Sequence, residues 1–177
     1  MSREQPTRVL LVCLGNICRS PTAEAVLRYQ VTQAGWSDHI EIDSAGTAAW
    51  HVGKSPDARS QRHAKARGYD LSAQQARQLT ADDLRQFDYV LAMDEDNLGV
   101  INALKAELAP HEQSQVHSGL FLAFHPQANQ SGFSMAVPDP YYGGDEGFET
   151  VLDLCETASI GLLKTILTKR GVVGCGC

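Results

Sequence analysis

Cys13 and Arg19 are separated by Leu14-Gly15-Asn16-Ile17-Cys18 and followed at once by Ser20-Pro21, a hydroxyl and a proline of the kind that open a helix. A loop of five residues curled between them turns its backbone N–H groups toward one point. The helix N-terminus adds partial positive charge there, and Arg19 offers a planar fork that matches two oxygens of a phosphate. The same field favours Cys13 as a thiolate aimed at the bound phosphorus. A lone cysteine at a strand end is usually an inert buried thiol. Here the spacing to arginine and the strand–turn–helix context point to an anion trap carrying a nucleophile.

Such a trap needs a strand to deliver it and a helix to close it. Arg8 to Leu14 is a continuous apolar run rich in β-branched residues, the pattern of a strand buried on both faces of a parallel sheet. A helix is expected from Pro21 to about Ala34, capped by Ser20 and stopped by Gly35. Ile40 to Ser44 reads as a second strand, and Ser55-Pro56-Asp57 repeats the cap-and-proline start for a helix ending near Gly68. Asp88 to Met93 is a third strand, followed by a helix whose apolar face carries Leu98, Ile101, Leu104 and Leu108. Val116 to Phe124 is a fourth. Residues 127–140, with serine, glycine, asparagine and two prolines, and then Gly143-Gly144, form a long loop of the sort that is usually functional. A last helix from about Gly147 to Lys169 presents Phe148, Val151, Leu152, Cys155, Leu162, Leu163 and Ile166 on one face, which makes Cys155 a packing residue. The alternation predicts one α/β domain, an open parallel sheet of about four strands with helices on both faces and ligands beyond the carboxyl ends of the strands.

Composition narrows the chemistry. With 177 residues and 43% hydrophobic content the chain fills one core. No apolar run approaches the ~18 residues of a membrane span, and residues 1–8 lack the apolar core of a signal peptide, so a soluble cytoplasmic protein is expected. A net charge of −6 without a long Lys/Arg cluster argues against nucleic-acid and membrane partners. The five cysteines, at 13, 18, 155, 175 and 177, show no paired CxxC spacing, and the histidines and carboxylates form no HExxH-like cluster, so neither metal nor cofactor is expected. Cys175-Gly-Cys177 reads as part of a loose tail.

The segment Val12-Cys-Leu-Gly-Asn-Ile-Cys-Arg-Ser-Pro-Thr-Ala-Glu24 resembles the signature loop of low-molecular-weight protein tyrosine phosphatases. Further segments follow in family order: Asp43-Ser-Ala-Gly-Thr47, Trp50, Pro56-Asp57, the region of Arg77, Ala92-Met-Asp94 with Asn97, Asp139-Pro-Tyr-Tyr-Gly-Gly144 and Phe148-Glu-Thr-Val151. Nearly the whole chain is covered. The resemblance implies a flavodoxin-like domain over residues 1–177, with 170–177 as a tail, that hydrolyses phosphotyrosine and small aryl phosphates through a phosphocysteine. It makes Cys13 the nucleophile, Arg19 the phosphate clamp, Ser20 the hydroxyl that stabilises the departing thiolate, and Asp139 the general acid and then base.

Leu14, Gly15, Asn16, Ile17 and Cys18 would form the phosphate cradle. Asn16, which tolerates a left-handed backbone, would brace it with Ser44. Trp50 and His51 fall at family rim positions, although many members carry asparagine where His51 stands. Tyr141 and Tyr142 have flat apolar faces suited to walling a slot for an aromatic ring. Asp94 ends the third strand at the sheet's carboxyl edge and reads equally as the cap of the following helix. Partners would be phosphotyrosine-bearing proteins or peptides and phosphate-like anions. A loop that wraps one phosphate curls tightly enough for its start and end to approach, so Cys18 is expected to condense with an oxidised Cys13 and protect it.

Two rivals share parts of this pattern. A thioredoxin-linked arsenate reductase has the same loop and fold but resolves its chemistry through further cysteines in mid-chain, and none lies between Cys18 and Cys155. A non-catalytic phosphate-binding module has no need of Cys13, Arg19 and Asp139 together.

Overall fold

A computed structural model of the chain describes residues 4–172. The first apolar run is strand β1 (Thr7–Cys13). It lies in the middle of a four-stranded sheet of order β2-β1-β3-β4, with β2 at Ile40–Gly46, β3 at Tyr89–Ala92 and β4 at His117–Leu120. All three pairings are parallel, so every strand ends at the same edge. That edge carries Cys13, directly opposite Gly46.

Alternation along β1 divides the core in two. Val9 and Leu11 face helices α1 (Arg19–Gln33) and α6 (Asp145–Lys169), whereas Leu10 and Val12 face Leu84, Phe87 and Ile101 on the other side. Helix α2 (Ala58–Ala66) joins the first layer through Ala64, and α4 (Glu95–Ala106) joins the second through Ile101. Val9 to Val12 are fully buried. An uninterrupted apolar strand is what two covered faces require.

Several boundaries differ from those expected, for local reasons. Helix α1 starts at Arg19 with Cys18 at the cap position, so Ser20 lies inside the first turn and caps nothing. Its hydroxyl is engaged with Cys13 and Asn16 instead. Pro21 is tolerated there because first-turn N–H groups have no intrahelical acceptor. Helix α2 is capped by Asp57, which accepts from the amides of Arg59 and Ser60, and Ser55 lies upstream. Two four-residue helices, α3 (Asp83–Gln86) and α5 (Pro110–Gln113), are too short to leave a periodic signal. After β4 the chain coils into a 3-10 turn over Phe121–Phe124, burying Phe121 and Leu122 where an extended strand was expected. Residues 125–144 contain no helix or strand. Arg170, just past α6, donates to the Gln5 carbonyl and the Thr7 hydroxyl, while 173–177, with Cys175 and Cys177, lie outside the described residues. Among the described residues no helix is long and apolar enough to cross a membrane.

Candidate active site

The loop from Cys13 to Arg19 folds over the end of β1 and is pinned from several sides. Thr47 N–H donates to the Cys13 carbonyl and Ala48 N–H to that of Leu14, both at 2.9 Å, and Asp57 N–H donates to the Ile17 carbonyl at 2.8 Å. Gly46 makes this approach possible. A Cβ there would stand 2.7 Å from the Leu14 carbonyl oxygen and 3.1 Å from the Asn16 nitrogen. Asn16 turns the loop with φ of 56°, the one non-glycine residue with positive φ among those described.

Beneath the loop runs a buried polar chain. The Asn16 side-chain amide donates to Ser20 Oγ (2.8 Å) and Ser44 Oγ (3.0 Å), and its carbonyl oxygen accepts from the Arg77 N–H (3.0 Å). Ser44 in turn donates to Glu24 (2.8 Å), whose carboxyl is pushed up by burial against the pull of Arg28 and the Ser44 hydroxyl. Arg77 is held in place by Asp43 and by both oxygens of Asp83. The chain ends at the thiol: Ser20 Oγ is 3.0 Å from Cys13 Sγ, and the Asn16 backbone N–H points at the same sulfur from 3.3 Å.

Arg19 is 3% exposed. Its Nη1 donates to Asp94 Oδ2 at 2.6 Å and to the Val137 carbonyl at 3.1 Å, and its Nη2 lies 3.9 Å from Asp139 Oδ2. Asp94 does two things at once, since its other oxygen caps α4 through the Asn97 N–H. Asp139 sits on the long loop, half exposed, with Tyr141 N–H donating to Oδ1 at 3.1 Å.

These groups surround a pocket of about 240 Å³ with Cys13 and Arg19 at its floor and Asp139, Trp50, Tyr141 and Tyr142 around it. Leu14, Gly15, Ile17 and Cys18 also line it, and the His51 ring packs so closely on Gly15 that a Cβ there would stand 2.9 Å from its Cδ2. Trp50 and Tyr142 project far into solvent, at 70% and 91% exposed, and the Tyr141 and Tyr142 rings meet edge to face. Burial pushes the Cys18 thiol up to about 12. The side chains of Asn16, Ser20 and Ser44, expected among the binding residues, bond one another behind the loop, and these three residues do not line the pocket. The other expected catalytic and binding residues do.

Sequence reasoning missed Asp94 as the partner of Arg19, Gly46 as the seat of the loop, and Glu24 and Arg77 at the ends of the polar chain. Asp94 had a usable signal, because it follows the end of a strand adjacent to β1. Glu24 had none, since a charged residue in an amphipathic helix ordinarily faces water.

The model of the family described as low molecular weight phosphotyrosine protein phosphatase matches residues 8–172. The low molecular weight protein-tyrosine-phosphatase of Streptomyces coelicolor is 43% identical over 159 residues, 90% of this chain and 93% of that one. The human low molecular weight phosphotyrosine protein phosphatase is 42% identical over 153 residues, 86% of this chain and 91% of its own. Among solved structures, a protein tyrosine phosphatase from Entamoeba histolytica superposes with a TM-score of 0.80 at 34% identity, covering 94% of this chain and 99% of that one.

Proposed function

We propose a division of labour for a chain that belongs to the low molecular weight phosphotyrosine protein phosphatase family, and is a protein-tyrosine phosphatase: Cys13 attacks, Arg19 clamps and Asp139 moves the proton. The observation that carries this is the placement of Cys13, Arg19 and Asp139 on one pocket, with Arg19 Nη2 3.9 Å from the Asp139 carboxyl.

The phosphate seats on the N–H groups of the loop. Asp94 and the Val137 carbonyl both take Arg19 Nη1, which leaves Nη2 and Nε to form two hydrogen bonds to phosphate oxygens. Cys13 sulfur forms a bond to phosphorus as the bond to the phenolic oxygen breaks, and the Asp139 carboxyl protonates that oxygen as it leaves. Asp139, now a carboxylate, takes a proton from water whose oxygen attacks phosphorus. The S–P bond breaks and Cys13 departs as a thiolate, with the Ser20 hydroxyl donating to it across the 3.0 Å contact.

Phosphotyrosine-bearing proteins or peptides are the proposed substrates, supported by the burial of Cys13 and Arg19 and by the aromatic groups that line the same pocket. Phosphate-like anions compete for the same cradle. A catalytic thiolate must stay reduced, which supports a cytoplasmic setting. The test is phosphate release from matched phosphotyrosyl and phosphoseryl peptides. A kcat/KM advantage of about 10² or more for the tyrosyl peptide is expected, since a seryl phosphate is too short to seat both its phosphate and its backbone. Equal rates would contradict the reading.

A further inference from the structure

Residues 125–144 reach the site without any helix or strand to hold them, and yet Asp139 must stand at a set distance from Cys13. Among the described residues few ties fix that loop. Val137 N–H donates to the Met93 carbonyl (2.8 Å), and Arg19 donates to the Val137 carbonyl on the near side of Asp139. On the far side the tie comes from Arg59, at the start of α2, whose Nη2 donates to the Tyr141 carbonyl at 3.0 Å.

Arg59 is itself anchored to the phosphate loop. Its Nε and Nη2 form a two-pronged contact with the Asp57 carboxylate, both at 3.2 Å, and the Asp57 N–H donates to the Ile17 carbonyl. Its guanidinium lies between the Phe148 ring at 4.8 Å and the Tyr141 ring at 5.4 Å, so the start of α6 is held by the same side chain. Tyr141 returns the contact to the acid through its N–H on Asp139 Oδ1. A continuous path therefore runs from Ile17 through Asp57, Arg59 and Tyr141 to Asp139. Arg59 does not line the pocket.

We propose that Arg59 is a positioning residue for the proton-transfer step, holding the Asp139 loop against the phosphate loop so that the carboxyl meets the leaving oxygen. The proposal rests on Asp139 being the general acid. A small misplacement of a catalytic group is costly, because proton transfer requires hydrogen-bond distance in the transition state. A lysine cannot reproduce the planar two-pronged contact together with the third hydrogen bond.

The experiment compares Arg59→Met, Arg59→Lys, Asp139→Asn and the Arg59→Met/Asp139→Asn double variant on p-nitrophenyl and phenyl phosphate. It reads kcat/KM, which covers the steps up to loss of the phenol. Alkylation of Cys13 by iodoacetate reports separately on the phosphate loop and is expected to stay within about twofold of wild type in the Arg59 variants. Arg59→Met is expected to lower kcat/KM by about tenfold or more for phenyl phosphate and by much less for p-nitrophenyl phosphate, with Arg59→Lys recovering only part of the loss. In the Asp139→Asn background the Arg59→Met loss should largely vanish, since there is no acid left to position. A loss equal for both leaving groups, or one fully additive with Asp139→Asn, overturns the proposal and leaves Asp139 as the acid. If Asp139→Asn itself shows no leaving-group dependence, the acid assignment fails and the proposal falls with it.

Discussion

The Asn16 side chain donates a hydrogen to Ser20, and that sets the direction of the bond between Ser20 and Cys13. Asn16 Oδ1 is committed to the Arg77 N–H, so its nitrogen faces the two serines, and Ser20 Oγ must accept from it at 2.8 Å. A thiolate can only accept. The Ser20 proton therefore points at Cys13, 3.0 Å away.

Ser20→Ala removes that proton at the moment the thiolate leaves phosphorus. The expected result is a fall of about 10–10² in kcat from the loss of one well-placed donor to a developing anion. The fall in kcat/KM should be smaller, and a burst of phenol should precede the steady state. Rapid-quench measurement checks this, and equal losses in the two parameters with no burst would place Ser20 outside the second step.

Asp139→Asn is expected to lower kcat/KM by about 10²–10⁴ for phenyl phosphate, the usual worth of a general acid, and by less for p-nitrophenyl phosphate, whose phenol leaves without help. A plot of log kcat/KM against leaving-group pKa should steepen relative to wild type. An unchanged slope would remove Asp139 from the acid role.

Cys13 and Cys18 line the same pocket, and burial pushes the Cys18 thiol up to about 12, so it stays protonated at working pH. Peroxide attack on the Cys13 thiolate yields a sulfenic acid. Condensation with the Cys18 thiol then forms a disulfide and releases water, which blocks irreversible oxidation. After peroxide and then dithiothreitol, wild type should recover far more activity than Cys18→Ser. Equal recovery would assign Cys18 to packing alone.

Gly46→Ala is expected to cost about 1–3 kcal/mol in stability, the usual penalty for overpacking, because the new methyl meets the Leu14 carbonyl at 2.7 Å. The same collision displaces the loop that cradles phosphate, so inhibition by inorganic phosphate should weaken along with turnover. Calorimetry and competitive inhibition measure the two, and unaltered phosphate affinity would show that the loop does not depend on this seat.

The strands and long helices were legible because a doubly covered sheet needs uninterrupted apolar runs and an amphipathic helix repeats its pattern over several turns, as Arg8 to Leu14 and the face of α6 illustrate. The run from Cys13 to Arg19 was legible because a cysteine, an arginine and a turn proline at that spacing leave a local signature, whereas Asp139, Trp50 and His51 came through the family resemblance. What was hidden depends on distant chain segments meeting. Nothing near Glu24 indicates that Ser44 of β2 will donate to it, and nothing near Arg59 indicates that Tyr141 will come within 3.0 Å. Ser20 was misread as a cap for a local reason: its hydroxyl is claimed by Asn16 and Cys13 rather than by its own helix.

The central claim is that Cys13 itself carries the phosphoryl group. The most direct measurement is p-nitrophenyl phosphate hydrolysis in EDTA by wild type and by Cys13→Ser, read beside circular dichroism to verify folding. Wild type should retain full activity in EDTA, and a folded Cys13→Ser should have none, because a hydroxyl in that position is too weakly acidic to supply the nucleophile. Loss of wild-type activity in EDTA, or turnover persisting in Cys13→Ser, would contradict it.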